Sequence, residues 1–118
     1  WNNPCLYSDS WNFGPNEKDV ITVKEVVEIL VSNWDGGSFR IIEDKTLHEA
    51  SLLKLDTSKA RYYLGWSPVW NVNKAIENTV KWYKKYYSNS QEMQDYSSQQ
   101  IEEYIEEAKR GKLRWSIE

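Results

Sequence analysis

The sequence predicts an α/β fold, a small two-stranded parallel βαβ unit followed by about three helices. Three observations lead there. Trp11 and Phe13 alternate with Asn12 and stop at Gly14-Pro15, while Ser38 to Ile42 forms a second short run of strand character. Between them lies a helical pattern, and strand, helix, strand in that order is the βαβ crossover, right-handed in nearly all known cases. Beyond residue 55 the pattern turns wholly helical.

Residues 1–8 carry a turn signal, Asn2-Asn3-Pro4, and no periodicity, so they read as the remnant of a loop. The first long helix begins at a capping box, Thr22-x-x-Glu25, with Ile21 and Val26 as the hydrophobic staple. Val23, Val26, Val27, Leu30, Val31 and Trp34 recur at helical spacing, and Asp35-Gly36-Gly37 ends the run. In a parallel unit both strand ends, Gly14 and Glu43, fall at one edge, where α/β sheets bind ligands, and the loop 43–49 leaves from that edge. Next, Asp56 or Thr57 can accept hydrogen bonds from the free N–H groups of a short helix, and Gly65 suits the left-handed residue after Leu64. Asn71 can cap a helix from Val72 to about Tyr87. Residues 88–96 read as a linker, and Ser97-x-x-Gln100, a second capping box stapled by Tyr96 and Ile101, starts a last helix over 97–110 that Gly111 ends. Trp115 is a candidate anchor for the tail.

The 118 residues suit a single domain or fragment. A net charge of −3 with interspersed signs gives no basic footprint for nucleic acid. The sole cysteine, Cys5, forms no internal disulfide and fits a reducing cytoplasm; no run approaches the ~20 apolar residues of a membrane span, and the first residues lack the basic-then-apolar pattern of a signal peptide. The first residue is Trp1 rather than Met, which suggests an excised piece of something longer. Seven tryptophans and eight tyrosines are the compositional anomaly, and rings of this kind supply buried area first and a ligand platform second. For Trp66, Trp70 and Trp82, positions at a helix stop, a staple and a helix side favour packing over sugar stacking. Glu102-Glu103 and Glu106-Glu107 lack a histidine or a binding loop and read as a solvated face, so no metal site is expected.

Asp56-Thr57-Ser58-Lys59-Ala60-Arg61, Leu64-Gly65-Trp66-Ser67-Pro68 and Thr79-Val80-Lys81-Trp82-Tyr83 together resemble the C-terminal part of the extended short-chain dehydrogenase/reductase superfamily. Trp11-Asn12-Phe13-Gly14-Pro15, His48-Glu49-Ala50 before Leu53-Lys54-Leu55-Asp56, and Gln100-Ile101-Glu102-Glu103-Tyr104 narrow the resemblance to the CDP-glucose 4,6-dehydratase family within it. The resemblance covers roughly residues 10–105. It implies a C-terminal substrate-binding lobe that follows an N-terminal Rossmann domain, in a homo-oligomeric, NAD-dependent parent of deoxysugar biosynthesis that converts CDP-glucose to CDP-4-keto-6-deoxyglucose. By the same resemblance Glu49 accepts hydrogen bonds from the ribose hydroxyls and His48 lines that pocket. Read from the residues alone, these two are a backbone-capping imidazole and a surface charge. Lys54, Lys59 and Arg61 are cations able to approach a diphosphate, although Lys59 and Arg61 fit a solvent-facing helix surface better.

Catalytic residues and NAD contacts are not expected in this chain. No G-x-G or G-x-x-G turn occurs, and none of the eight tyrosines is followed four residues later by lysine. Two other readings stay open: the same region of another nucleotide-sugar epimerase, reductase or dehydratase, and a stand-alone aromatic-rich binding module.

Overall fold

A computed structural model describes residues 4–42 and 55–117. Six α-helices follow in order: α1 (Pro4–Tyr7), α2 (Val23–Asn33), α3 (Ser58–Leu64), α4 (Val72–Ser88), α5 (Met93–Arg110) and α6 (Arg114–Ile117), with 3-10 turns at Glu17–Asp19 and Ser90–Glu92. Among the described residues there is no strand, so the expected two-stranded βαβ unit is not formed and the architecture is helical. The reason is pairing. A two-stranded ladder on its own is marginal in water, and alternation of apolar residues says that a face is buried without saying by what. Here Trp11 and Phe13 pack on side chains of the α3 region, the rings of Phe13 and Trp66 meeting edge to face at 4.9 Å. Residues 38–42 remain exposed along their whole length, Ile42 at 75%.

The helix ends follow local rules. Thr22 accepts from the N–H of Glu25, while the Glu25 carboxylate accepts from the N–H of Thr22, so both halves of the capping box are made. Asn71 Oδ1 accepts from the N–H of Lys74 at 2.9 Å and starts α4. Of the two candidate caps of α3, Asp56 serves: its Oδ1 accepts from the N–H of Ser58 at 2.8 Å, whereas Thr57 makes no cap bond. Gly65 takes φ +61, and the N–H of Trp66 reaches back to the carbonyl of Ala60, which closes the helix. At the end of α5 the roles shift by one residue. Gly111 keeps a right-handed conformation and Lys112 carries the positive φ of 52.

α5 begins at Met93, four residues before the expected start at Ser97, with Asn89 Oδ1 accepting from Gln91 to open the preceding turn. Ser97 and Gln100 are not capping residues. Ser97 Oγ accepts from the indole of Trp82 at 3.0 Å, and Gln100 Nε2 donates to the carbonyl of Asn78 at 3.0 Å. Farther along, Glu107 accepts from the Trp70 indole and from Lys74, and the Tyr104 hydroxyl accepts from the N–H of Val69 at 3.3 Å. Residues 82, 78 and 74 of α4 thus meet 97, 100 and 107 of α5, the pairing of an antiparallel hairpin. α2 packs along α4 in a parallel sense: Lys84 pairs with Asp35 at 2.9 Å and Tyr87 meets Trp34 near their C-terminal ends, while Val26 and Val72 border one hollow near their N-terminal ends. Trp115 of α6 stacks on Tyr104, the anchor that the sequence suggested.

The core is thin. Ala60, Val80 and Ala108 are the buried apolar residues among those described, and Tyr62, Tyr63 and Tyr87 are largely exposed. A radius of gyration of 17.5 Å, against about 13–14 Å for a compact domain of this length, accords with an open arrangement. Trp66, Trp70 and Trp82 are half-buried rather than enclosed, each engaged with neighbouring side chains.

Candidate functional site

A hollow lined by charged groups lies at the N-terminal end of α3. It is a cleft of about 430 Å³, within the ~300–1,000 Å³ range of small-molecule sites, lined by Pro15 and Glu17 on one side and by Leu55, Asp56, Thr57, Ser58 and Arg61 on the other. One wall is formed by Pro15, near the end of a strap of residues 9–16 that runs along α3, and by Glu17 just beyond it. The other is the start of α3, where the described chain resumes after residue 54.

Contacts made by four residues fasten the strap. Lys59 Nζ pairs with Asp9 at 2.6 Å, donates to the carbonyl of Ser10 at 3.0 Å and sits 4.7 Å from the centre of the Trp11 ring. Asn12 Nδ2 donates to the carbonyl of Asp56 at 3.3 Å. Gly14 passes so close to Thr57 that a Cβ there would lie 3.3 Å from the Thr57 methyl. Arg61 closes the row: Nε donates to Thr57 Oγ1 at 3.0 Å and Nη2 to Asn16 Oδ1 at 2.9 Å. Lys59 bonded to the Asp9 carboxylate, with the Ser10 N–H second, holds that acid below its ordinary range.

These bonds correct two expectations. Arg61 is not a solvent-facing helix residue, being half-buried and bonded to Thr57 and Asn16, whereas Lys59 is exposed as expected and pairs with Asp9 of the strap. Glu107 is not part of a solvated acidic face, because it is half-buried and ties α5 to Trp70 and Lys74. Nor does Gly14 end at a sheet edge, since no sheet forms among the described residues; Glu43 lies outside them. His48, Glu49 and Lys54, the predicted substrate contacts, lie outside the described residues. Arg61 and Asn16 were legible only as a cation and a loop amide, because a sequence separation of 45 hides the bond. Among the described residues no cluster of metal-ligating side chains occurs, and no helix is long and apolar enough to cross a membrane.

The strap, the capped α3 and the Gly65-Trp66 stop carry the motifs named above. Comparison with curated proteins finds a CDP-glucose 4,6-dehydratase from Salmonella typhimurium, 37% identical over 100 residues. The chain is similar to the C-terminal part of that enzyme. The match takes in 84% of the chain but 28% of the relative, so the chain spans a little over a quarter of the curated protein it matches. No family model and no solved structure matches the chain. At this level of identity over most of the chain, the similarity to a nucleotide-sugar dehydratase is the coarse functional fact.

Proposed function

We propose that this chain is the substrate-binding part of a nucleotide-sugar 4,6-dehydratase whose substrate is CDP-glucose and whose product is CDP-4-keto-6-deoxyglucose. The observation that carries the reading is the 37% identity to the C-terminal part of a CDP-glucose 4,6-dehydratase. The cleft between the strap and α3 supports it, because the segment bearing His48, Glu49 and Lys54 joins that cleft at Leu55. In this reading an N-terminal Rossmann domain of the parent supplies NAD and the acid/base pair, the parent is a cytoplasmic homo-oligomer, and this chain holds the CDP handle.

Glu49 accepts the ribose hydroxyls and His48 lines the same pocket, while Lys54 approaches the diphosphate. Replacing Glu49 by Gln keeps the shape and weakens charge-assisted hydrogen bonds that contribute roughly 1.5–3 kcal/mol each. Affinity for CDP-glucose in the full-length protein is expected to fall about tenfold to a hundredfold, read by calorimetric titration with CDP, CDP-glucose and UDP-glucose. Equal affinities in wild type and variant remove Glu49 from the site. Tighter binding of UDP-glucose than of CDP-glucose overturns the substrate assignment.

A further inference from the structure

Arg61 lines the cleft and ties its two sides together. Nε is bonded to Thr57, at the start of α3, and Nη2 to Asn16, the last residue of the strap, which stands between the lining residues Pro15 and Glu17. Thr57 is buried, and Arg61 and Asn16 are half-buried, so these bonds form where water competes less and where an unpaired partner costs more. Only a planar, forked cation makes both bonds at once; a lysine ammonium at that place is a single point with different reach. Pro15 precedes Asn16 directly and Glu17 follows it, so whatever fixes Asn16 fixes that wall. On the far wall Thr57 sits between Asp56 and Ser58, and Leu55 leads back to the segment proposed to hold the ribose.

We propose that Arg61 is a positioning residue: its guanidinium sets the distance between the Asn16 loop and the start of α3, and with it the width of the cleft that receives the nucleotide end of the substrate. This rests on the function proposed above. A misplaced wall weakens ground-state binding of the substrate handle without touching the reacting carbons, which lie with the parent's catalytic groups. The signature is therefore a raised KM beside an unchanged kcat.

The test uses the full-length protein carrying Arg61→Lys, Asn16→Ala or Asn16→Asp, with steady-state kinetics on CDP-glucose and amide exchange of peptides spanning residues 10–19. Arg61→Lys and Asn16→Ala are expected to raise KM about tenfold, the scale of one lost hydrogen bond, with kcat within about twofold and faster exchange in the loop. Asn16→Asp keeps an acceptor for the guanidinium but sets a carboxylate against Asp19, whose Oδ2 accepts from Asn16 Nδ2 at 3.3 Å, so it is expected to raise KM less than Asn16→Ala does. If Arg61→Lys does not fold, the two Asn16 variants carry the comparison, since they leave Arg61 and its Thr57 bond in place. Faster exchange with KM unchanged in a protein that turns over CDP-glucose makes the clamp purely structural and overturns the proposal alone. A wild-type protein that takes no nucleotide sugar overturns the function reading and this proposal with it.

Discussion

Along the α4–α5 hairpin the contacts repeat: Trp82 to Ser97, Gln100 to Asn78, and Glu107 to Trp70 and Lys74 lie at intervals on two long helices. The strap on α3 has no such repetition. An ion pair under an aromatic ring, an amide on a carbonyl, a glycine against a methyl and a forked guanidinium fasten residues 9–16 to a helix of seven residues. When contacts repeat, losing one leaves the register held by its neighbours. When each is different, losing one frees the adjoining stretch. The strap region therefore opens locally at lower free energy than the hairpin does, and it is the strap that borders the cleft.

Trp82→Ala gives the largest expected change. It removes the Ser97 bond and the stack on Tyr86, 5.6 Å between ring centres, and truncating a packed tryptophan costs about 3 kcal/mol or more. Trp66→Ala, which loses chiefly its edge contact with Phe13, is expected to cost about 2 kcal/mol, less than Trp82→Ala, which gives up a side-chain hydrogen bond besides its ring contacts. Urea unfolding midpoints measure both; if Trp66→Ala is the costlier, the hairpin is not the stabler region. Asn71→Ala comes next, at about 1 kcal/mol for a lost helix cap, with a midpoint shift shared by all of α4.

The smallest effect is that of acid, and it separates the two regions by location. Asp9 in the strap and Glu77, Glu92 and Glu106 around the hairpin are each held below their ordinary values, first by a hydrogen bond from Lys59, Lys81, Lys85 and Lys109 respectively. Glu25 is lowered mainly by the N–H of Thr22. A carboxylate depressed in the folded state adds stability above its unfolded pKa and loses it as the pH falls through the folded one. Stability is thus expected to hold from about pH 8 to pH 6 and to decline modestly below about pH 4, with amide exchange accelerating first over residues 9–16. Uniform acceleration across strap and hairpin would contradict the ordering of the two.

The same division explains what could be read in advance. Thr22, Asn71 and Gly65 act on backbone groups within a few residues, and each performs the predicted task. Ser97 and Gln100 have the right spacing for a cap, yet their side chains are claimed by another helix, which no local rule registers. The βαβ expectation failed for a kindred reason: Trp11 and Phe13 announce a buried face, and α3 with Trp66 covers it where a neighbouring strand was expected. The motifs that led to a nucleotide-sugar enzyme were legible because they are contiguous. The Arg61–Asn16 bond was not, because it joins positions that only the folded chain makes neighbours.

The approach of Gly14 to Thr57 has a consequence for how this stretch can vary over evolutionary time. At 3.3 Å from the Thr57 methyl, a Cβ on residue 14 fits only if the threonine yields by a few tenths of an ångström, and Thr57 is held in place by Arg61. The two positions share one allotment of volume. Serine at 57 keeps the hydroxyl that Arg61 bonds while removing the methyl, so alanine at 14 becomes acceptable in that background and not in this one. Substitutions at 14 and 57 are then epistatic, and lineages that keep the strap are expected to trade size between these two sites rather than change either independently.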